Sequence, residues 1–318
     1  MKASIIIPAY NASATLGIVL QALIQQDFTD FEVIVVDDAS TDNTSQIAES
    51  FTGALDLRLF RPEENLGRAR ARNFGVEKSR GEIVLLLDSD IEAVPDYVSA
   101  HLALHEEESR AVGVGVLRYP PTLAKKALAC YYATRGGARL KPGQPLPGKY
   151  FVSCLASFRR TLFDEIGGFH PGFRLYGGED LELGLRFEKS GARLVYLPGA
   201  IGYHHHLRTL KEVVSTLERY GRHGIPLVLD RHPEFAREMA LDDVMPGLSG
   251  KANIISGILR RLLTSSVFAV PLLEIASRLE AHRLPSGLLT YLHYCAYRRG
   301  FIDHLRSADQ NASPKIIA

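Results

Sequence analysis

The first half of the chain alternates unbroken apolar runs with segments of helical spacing. Ser4-Ile5-Ile6-Ile7-Pro8 predicts a buried strand stopped by proline, and Phe31 to Val36 a second one ended by Asp37-Asp38. Leu57 to Phe60 predicts a short strand, and Ile83 to Leu87 another buried one. Between them, Ala14 to Gln25 places Leu16, Val19, Leu20 and Leu23 on one helical face. Thr41 to Phe51 opens with Asp42 and Thr44, good helix-capping chemistry, and Arg68 to Lys78 reads as a further helix. Strands that are apolar throughout, rather than alternating, are covered on both faces. Their alternation with helices therefore predicts an α/β fold with a mostly parallel sheet.

Beyond residue 110 the pattern is less regular. Ala111 to Val116, Tyr150 to Phe158 and Arg193 to Tyr196 predict strands; Leu162 to Ile166 and Glu179 to Lys189 predict helices, closed by Gly167-Gly168 and Gly191. Arg135 to Lys149, rich in Gly, Pro and basic residues, reads as a loop. After Leu207 helical spacing dominates: Leu210 to Tyr220, Phe235 to Ala240, Ile254 to Leu279 and Leu288 to Arg298. The expected organisation is an α/β domain over residues 1–207 and a helical C-terminal extension over 208–318.

Composition narrows the function classes. With 318 residues, 46% of them hydrophobic, a sizeable core is available. A net charge of +1 gives no global pull toward nucleic acid. Cys130, Cys154 and Cys295 are scattered without a CxxC, which predicts free thiols in a reducing compartment and no zinc framework. Ile5 to Pro8 is too short for a secretory core, and the charge-free run Leu262 to Leu273 is too short for a hydrocarbon layer of ~30 Å at ~1.5 Å per residue. A cytoplasmic protein without a spanning helix is expected.

The candidate chemistry sits where predicted strands stop. Gly81 to Leu87 delivers Asp88-Ser89-Asp90, two carboxylates one residue apart, to a strand end, and in open α/β sheets that end faces the ligand crevice. A hard divalent cation holding a phosphorylated ligand is the simplest reason for such a pair. Pro8-Ala9-Tyr10-Asn11 and Asp37-Asp38 follow the first two strands, and in a parallel sheet all three sites meet at one rim. Glu179-Asp180 opens a helix after Tyr176-Gly177-Gly178. Each has a plainer reading: turns for the first three, favourable charge at a helix N-terminus for the fourth. Convergence is what raises them above that. No glycine-rich phosphate loop is present, so basic side chains and a metal would have to hold a phosphate, with Arg68, Arg70 and Arg72 nearby on one helix. His204-His205-His206 follows a predicted strand; at least one of the three must point away, and His204 is the first candidate for a metal or diphosphate contact.

Taken together and in order, these segments resemble the family 2 glycosyltransferases. The resemblance runs through Ser4 to Asn11, Val35 to Asp42, Asn65-Leu66-Gly67 with Ala71-Arg72-Asn73, Asp88-Ser89-Asp90, Phe163 to Gly168, Gly178 to Leu183, and His204, and covers roughly residues 1–210. It implies a GT-A fold, an α/β domain that binds a nucleotide-diphosphate sugar. Residue by residue it implies that Pro8, Ala9, Tyr10, Asn11 and Asp38 contact the nucleotide. Arg68 or Arg72 would lie near the diphosphate, and Asp88 and Ser89 near ribose or sugar. Asp90, with His204, would hold Mg2+ or Mn2+. Asp180 would be the catalytic base and Glu179 its neighbour and less favoured substitute. An inverting displacement needs one carboxylate on the metal side and one on the acceptor side, and Asp90 and Asp180 supply that division. The acceptor would be a hydroxyl of a glycan or lipid-linked precursor in cell-envelope polysaccharide synthesis. The Gln-x-x-Arg-Trp motif of processive members is missing, since the chain has no Trp, which favours single addition.

Two other functions fit parts of the pattern: a metal-dependent nucleotidyltransferase, which would normally show a glycine-rich basic loop after the first strand, and a degenerate nucleotide-sugar-binding protein without transfer. For the extension, Arg260, Arg261, Arg298 and Arg299 beside apolar helices suit peripheral contact with an anionic membrane. A helical tail packed on the catalytic domain, or on a second subunit in a homodimer, suits them equally.

Overall fold

The computed structural model describes residues 1–140, 144–244, 260, 262–280 and 283–312. These form two compact units. One comprises residues 1–125, 132–174 and 179–207; the other comprises 126–131, 175–178 and 208–318, as far as described.

The first unit is built on an eight-stranded mixed sheet. Its elements in chain order are β1 (Ala3–Ala9), α1 (Leu16–Ile24), β2 (Phe31–Asp37), α2 (Thr44–Glu49), β3 (Leu57–Phe60), α3 (Arg68–Lys78), β4 (Ile83–Leu87), β5 (Ile91–Ala93), α4 (Tyr97–Glu107) and β6 (Ala111–Arg118). After α5 (Ala127–Tyr132), most of which belongs to the second unit, come β7 (Leu155–Arg159), α6 (Arg160–Glu165), α7 (Glu179–Lys189) and β8 (Arg193–His204). The strand order is β3-β2-β1-β4-β7-β6-β8-β5. β1 is parallel to both β2 and β4, and β2 is parallel to β3. Every residue of β2 and β4 is buried, as their continuous apolar sequences require. Two acids buried in or at the end of β2 have partners: Glu32 accepts from Ser4 Oγ, Arg58 and Arg80, and Asp37 from the Ser40 amide and Arg61.

The antiparallel members lie on the other side of β4. β7 runs antiparallel to both β4 and β6, and β5 antiparallel to β8. Only the last part of the expected strand 150–158 forms, because β4 ends at Leu87 opposite Leu155 and offers no partner earlier. β8 runs on past the expected end at Tyr196. The register against β6 slips over Leu197 to Ala200, and Ile201, Gly202 and Tyr203 pair again. The loop 135–149 holds two short 3-10 turns, with residues 141–143 outside the described residues. α4 has no counterpart among the expected elements, because His101 and His105 occupy its buried face.

The second unit carries α8 (Leu210–Arg219), a π-turn at Tyr220–Gly224, α9 (Ile225–Arg231), α10 (Phe235–Glu238), α11 (Ser266–Arg278) and α12 (Ser286–Ala312). α8 starts on a capping box between Thr209 and Glu212. Of the expected helix 254–279, residues 254–259 and 261 lie outside the described residues, as does Arg261. The other arginines named for membrane contact have internal partners. Arg298 is fully buried on Asp243, Arg260 pairs with Asp242, and Arg299 with Glu218. Among the described residues, no helix is long and apolar enough to cross a membrane.

Candidate active site

Parallel pairing of β1, β2 and β4 brings Ala9, Asp37 and Leu87 to one rim, and the polar segments that follow are tied together there. The Asp38 amide donates to Ala9 O at 2.8 Å, the Asn11 amide to Ser40 Oγ at 2.9 Å, and the Thr41 amide to Asn11 Oδ1 at 2.8 Å. Asn11 itself takes a left-handed φ of 49°, which asparagine tolerates. Pro8 lies beyond the last β1–β4 pair, Ile6–Leu86, so its missing N–H leaves no gap in that ladder. Ala9 is buried, whereas Tyr10 is 55% exposed.

Asp38 is committed to the neighbouring loop. Its Oδ1 accepts from Leu66 N at 2.6 Å and its Oδ2 from Gly67 N at 3.0 Å, while Asn65 Nδ2 donates to its carbonyl. Burial pushes its carboxyl up despite the two amides. Gly67 makes that grip feasible: its φ of 78° and ψ of 162° suit glycine, and a Cβ there would meet Arg174 O at 2.5 Å.

Asp88-Ser89-Asp90 bends from β4 into β5. Its backbone is pinned by Asp88 N to Cys154 O at 3.3 Å, Thr15 Oγ1 to Ser89 O at 2.8 Å, and His205 N to Asp90 O at 2.9 Å. The two carboxylates diverge to different partners. Asp88 Oδ1 accepts from Arg72 Nη2 at 2.7 Å; Asp90 Oδ2 lies 3.1 Å from His204 Nε2. The β5–β8 pairing sets His204 opposite Ile91, one residue from Asp90. His205 turns to Glu92, 2.6 Å away. Burial works against the Asp90 charge, but the hydrogen bond and charge of His204, with His206 and Arg68, outweigh it and hold the carboxyl below its usual range.

Arg68 and Arg72 share a face of α3 and have different surroundings. Arg68 opens the helix, is exposed, and acts electrostatically on Asp90 and Glu179. Arg72, one turn deeper, is 2% exposed, with its guanidinium 5.7 Å from the centre of the Phe169 ring. Burial disfavours its charge, which Asp88, Asp180 and Glu179 more than offset.

Glu179 and Asp180 form the first turn of α7. The segment before them is anchored by Asn73, which exchanges hydrogen bonds with the backbone of Phe169 at 2.7 and 2.9 Å, and by Arg186, which donates to the carbonyls of Ile166 and Gly168. Both carboxyls are raised by burial; Glu179 is pushed up to about 7, with the adjacent Asp180 charge adding to the effect. Arg72 and hydrogen bonds from the Ser153 side chain and backbone act in the opposite sense on Asp180. Asp180 Oδ1 is shielded from solvent without a hydrogen-bond partner, as are Nε and Nη1 of Arg72.

The same holds for Asp90 Oδ1 and His204 Nδ1. A hard carboxylate oxygen beside an imidazole, both with spare capacity, is a donor set that would suit a divalent cation. Among the described residues no group of three or more His, Cys, Asp or Glu is arranged to hold a metal without such help.

Asp88, Asp90, Asp180, Glu179, Arg68, Arg72 and His204 thus lie in one electrostatically linked group, with Pro8 to Asn11 and Asp38 along the same rim. Thr15, Asn65, Ser153 and Cys154 were not among the expected site residues. Asn65 carried a signal in the segment Asn65-Leu66-Gly67; the others carried none, because each acts through a contact distant in sequence.

Residues 4–167 match the model of glycosyl transferase family 2, and residues 138–210 that of the N-terminal domain of galactosyltransferase. The uncharacterized glycosyltransferase YfnE of Bacillus subtilis is 30% identical over 240 residues, which cover 60% of this chain and 61% of that protein. The poly(ribitol-phosphate) beta-N-acetylglucosaminyltransferase TarS of Staphylococcus aureus is 42% identical over 102 residues, 31% of this chain and 17% of that protein. The chain therefore spans less than two thirds of these relatives. Among solved structures, residues 1–349 of TarS in complex with UDP-GlcNAc align with a TM-score of 0.55 at 22% identity, covering 98% of this chain and 92% of that one. The mannosyltransferase PcManGT of Pyrobaculum calidifontis, in complex with GDP-Man and Mn2+, aligns with a TM-score of 0.62 at 20% identity, covering 96% and 87%. At such identities the likeness is one of GT-A fold.

Proposed function

Because this chain belongs to glycosyl transferase family 2, we propose that it moves one sugar from a nucleotide-diphosphate sugar to a hydroxyl of a glycan or lipid-linked acceptor, by an inverting single displacement. The observation that carries this reading is the divergence of the site. Asp90 contacts His204 while Asp88 pairs with the buried Arg72, and Asp180 with Glu179 forms a second carboxylate group acting on the same arginine.

In this reading the exposed Tyr10 stacks the base, and Asp38 shapes the loop beside it. Arg68, exposed at the rim, meets the diphosphate. Asp90 and His204 would hold Mg2+ or Mn2+, which when bound would offset the negative charge gathering on the departing nucleoside diphosphate. Asp180 accepts the proton of the acceptor hydroxyl as its oxygen attacks the anomeric carbon, and Glu179 beside it tunes that proton transfer. The bound ligands of the fold relatives, UDP-GlcNAc and GDP-Man with Mn2+, make UDP- and GDP-sugars with Mn2+ the first donors to try. Release of nucleoside diphosphate from one member of such a panel is the expected result. A protein that binds a donor but releases nothing, with or without acceptor glycans, would instead be a binding protein.

The acceptor side is read from α11. Val267, Phe268, Val270, Leu272, Ile275 and, just beyond, Leu279 are large apolar side chains exposed along it. Glu274 on that helix is neutralised by Lys211 at 2.8 Å, which leaves Arg278 and Arg283 as exposed charges. Apolar surface with residual positive charge fits an anionic lipid surface and hence a lipid-linked acceptor. Flotation with phosphatidylglycerol vesicles should recover the wild type and lose a Phe268→Glu/Ile275→Glu variant. Equal recovery would remove membrane contact, and a concentration-dependent dimer lost in the variant would give the face to a second copy.

A further inference from the structure

We propose that Arg72 is a positioning residue that joins the two halves of the site: it anchors Asp88 on the donor side and keeps Asp180 ionised on the acceptor side. This rests on the assignment of Asp180 as the base. A simpler role, a diphosphate contact, is hard to reconcile with the burial of Arg72, since Arg68 occupies the exposed position one helical turn earlier.

The argument starts from geometry. Arg72 is a fully charged group with almost no access to water, and only one of its three nitrogens has a partner, Asp88 at 2.7 Å. Phe169 covers it. A cation buried in this way is tolerable only if carboxylates surround it. Those available are Asp88, Asp180 and Glu179, drawn from a strand end and a helix start far apart in the chain. The dependence is mutual. Asp180 faces Glu179 on its own helix, Arg72 on α3, Asp88 at the end of β4, and Ser153 and Cys154 ahead of β7. Arg68 acts on the pair through Glu179. The Cys154 thiol is held protonated by its burial and contributes no positive charge. Arg72 is thus the buried cation opposing both desolvation and the repulsion among Asp180, Glu179 and Asp88. Without it both acceptor-side carboxyls would be pushed up further, and a protonated carboxyl cannot take another proton from the acceptor.

This differs from a structural role in what it predicts for pH. In Arg72→Gln the acid limb of the kcat profile should move upward by about one to three pH units, so that activity lost at pH 6 is largely regained at pH 9. In Arg72→Lys, which keeps the charge but not the planar fork, the limb should stay near that of the wild type while kcat falls. Donor KM should change less than kcat in both. A donor KM that rises with kcat intact would overturn the proposal, as would an Arg72→Lys limb displaced as far as that of Arg72→Gln, or a loss that is uniform across pH. Should Arg72→Gln not fold, Arg72→Lys alone still decides through its limb position and its split between KM and kcat. Asp180→Asn, assayed in parallel, separates the two claims. If that variant remains active, the base assignment fails. If it is inactive while the limbs of the arginine variants do not move, only the role of Arg72 fails.

Discussion

Two histidines far from the proposed chemistry make a test of the fold that can be worked through in numbers. His101 and His105, one turn apart on α4, are buried and bracket a single hydroxyl. His101 Nδ1 and His105 Nε2 each lie 2.8 Å from Ser157 Oγ. The hydroxyl has one proton, so it can donate to one ring, which must then be neutral, and accept from the other. Burial depresses His101 from 6.5 to about 3, the neighbouring His105 adding to the effect, and burial depresses His105 to about 4. The folded pKa values lie below the unfolded ones, so the unfolded chain binds more protons as the pH falls below 6.5. Stability is therefore complete above that pH and is lost on acidification toward the folded values. The cost approaches about 1.4 kcal/mol per pH unit and histidine only once the unfolded rings are fully protonated, so between pH 6.5 and 5 the pair should remove roughly 3 kcal/mol, a large part of a typical folding free energy of ~5–15 kcal/mol. The variant His101→Asn/His105→Gln keeps an amide atom near Ser157 Oγ and cannot titrate. Urea unfolding followed by far-UV circular dichroism should find it less stable than the wild type at pH 7, yet with a stability that falls roughly 3 kcal/mol less between pH 6.5 and 5. Equal pH slopes in the two proteins would refute the buried neutral pair.

Two further substitutions probe the rim. Thr15→Val removes the hydroxyl that holds Ser89 O at 2.8 Å and so loosens the bend carrying Asp88 and Asp90; at about 1 kcal/mol per hydrogen bond, calorimetry should show nucleotide binding in the presence of Mn2+ weakened by roughly fivefold. Gly67→Ala places a Cβ 2.5 Å from Arg174 O at a backbone conformation suited to glycine; a loss of about 1–3 kcal/mol in urea unfolding is expected, with nucleotide affinity falling further because Asp38 loses its seat.

Much of this was written in the sequence where burial is unambiguous. α3 and α7 occupy the expected residues, and β4 stops at Leu87 with Asp88 next, because a run that is apolar throughout leaves no choice of face or end. Strand direction was less legible. Nothing local distinguishes β7, antiparallel between β4 and β6, from its parallel neighbours. Pro198-Gly199 concealed the continuation of β8, and with it the pairing that brings His204 to Asp90. Arg68 and Arg72 could not be separated in advance, because residues four apart share a helix face, and only depth below the rim tells an exposed cation from a buried one. The same difficulty applied to Arg298. A charge beside an apolar helix reads as surface until its partner, Asp243, is placed.

The central claim is the division of labour between Asp90 and Asp180. It is tested most directly by measuring donor affinity and turnover together in Asp90→Ala and Asp180→Asn, with the nucleotide sugar and Mn2+ identified from the donor panel. Asp180→Asn should bind the donor as the wild type does and lose turnover by about 10²–10⁴-fold, while Asp90→Ala should lose donor affinity. Full turnover in Asp180→Asn, or unchanged Mn2+-dependent donor binding in Asp90→Ala, would contradict the account.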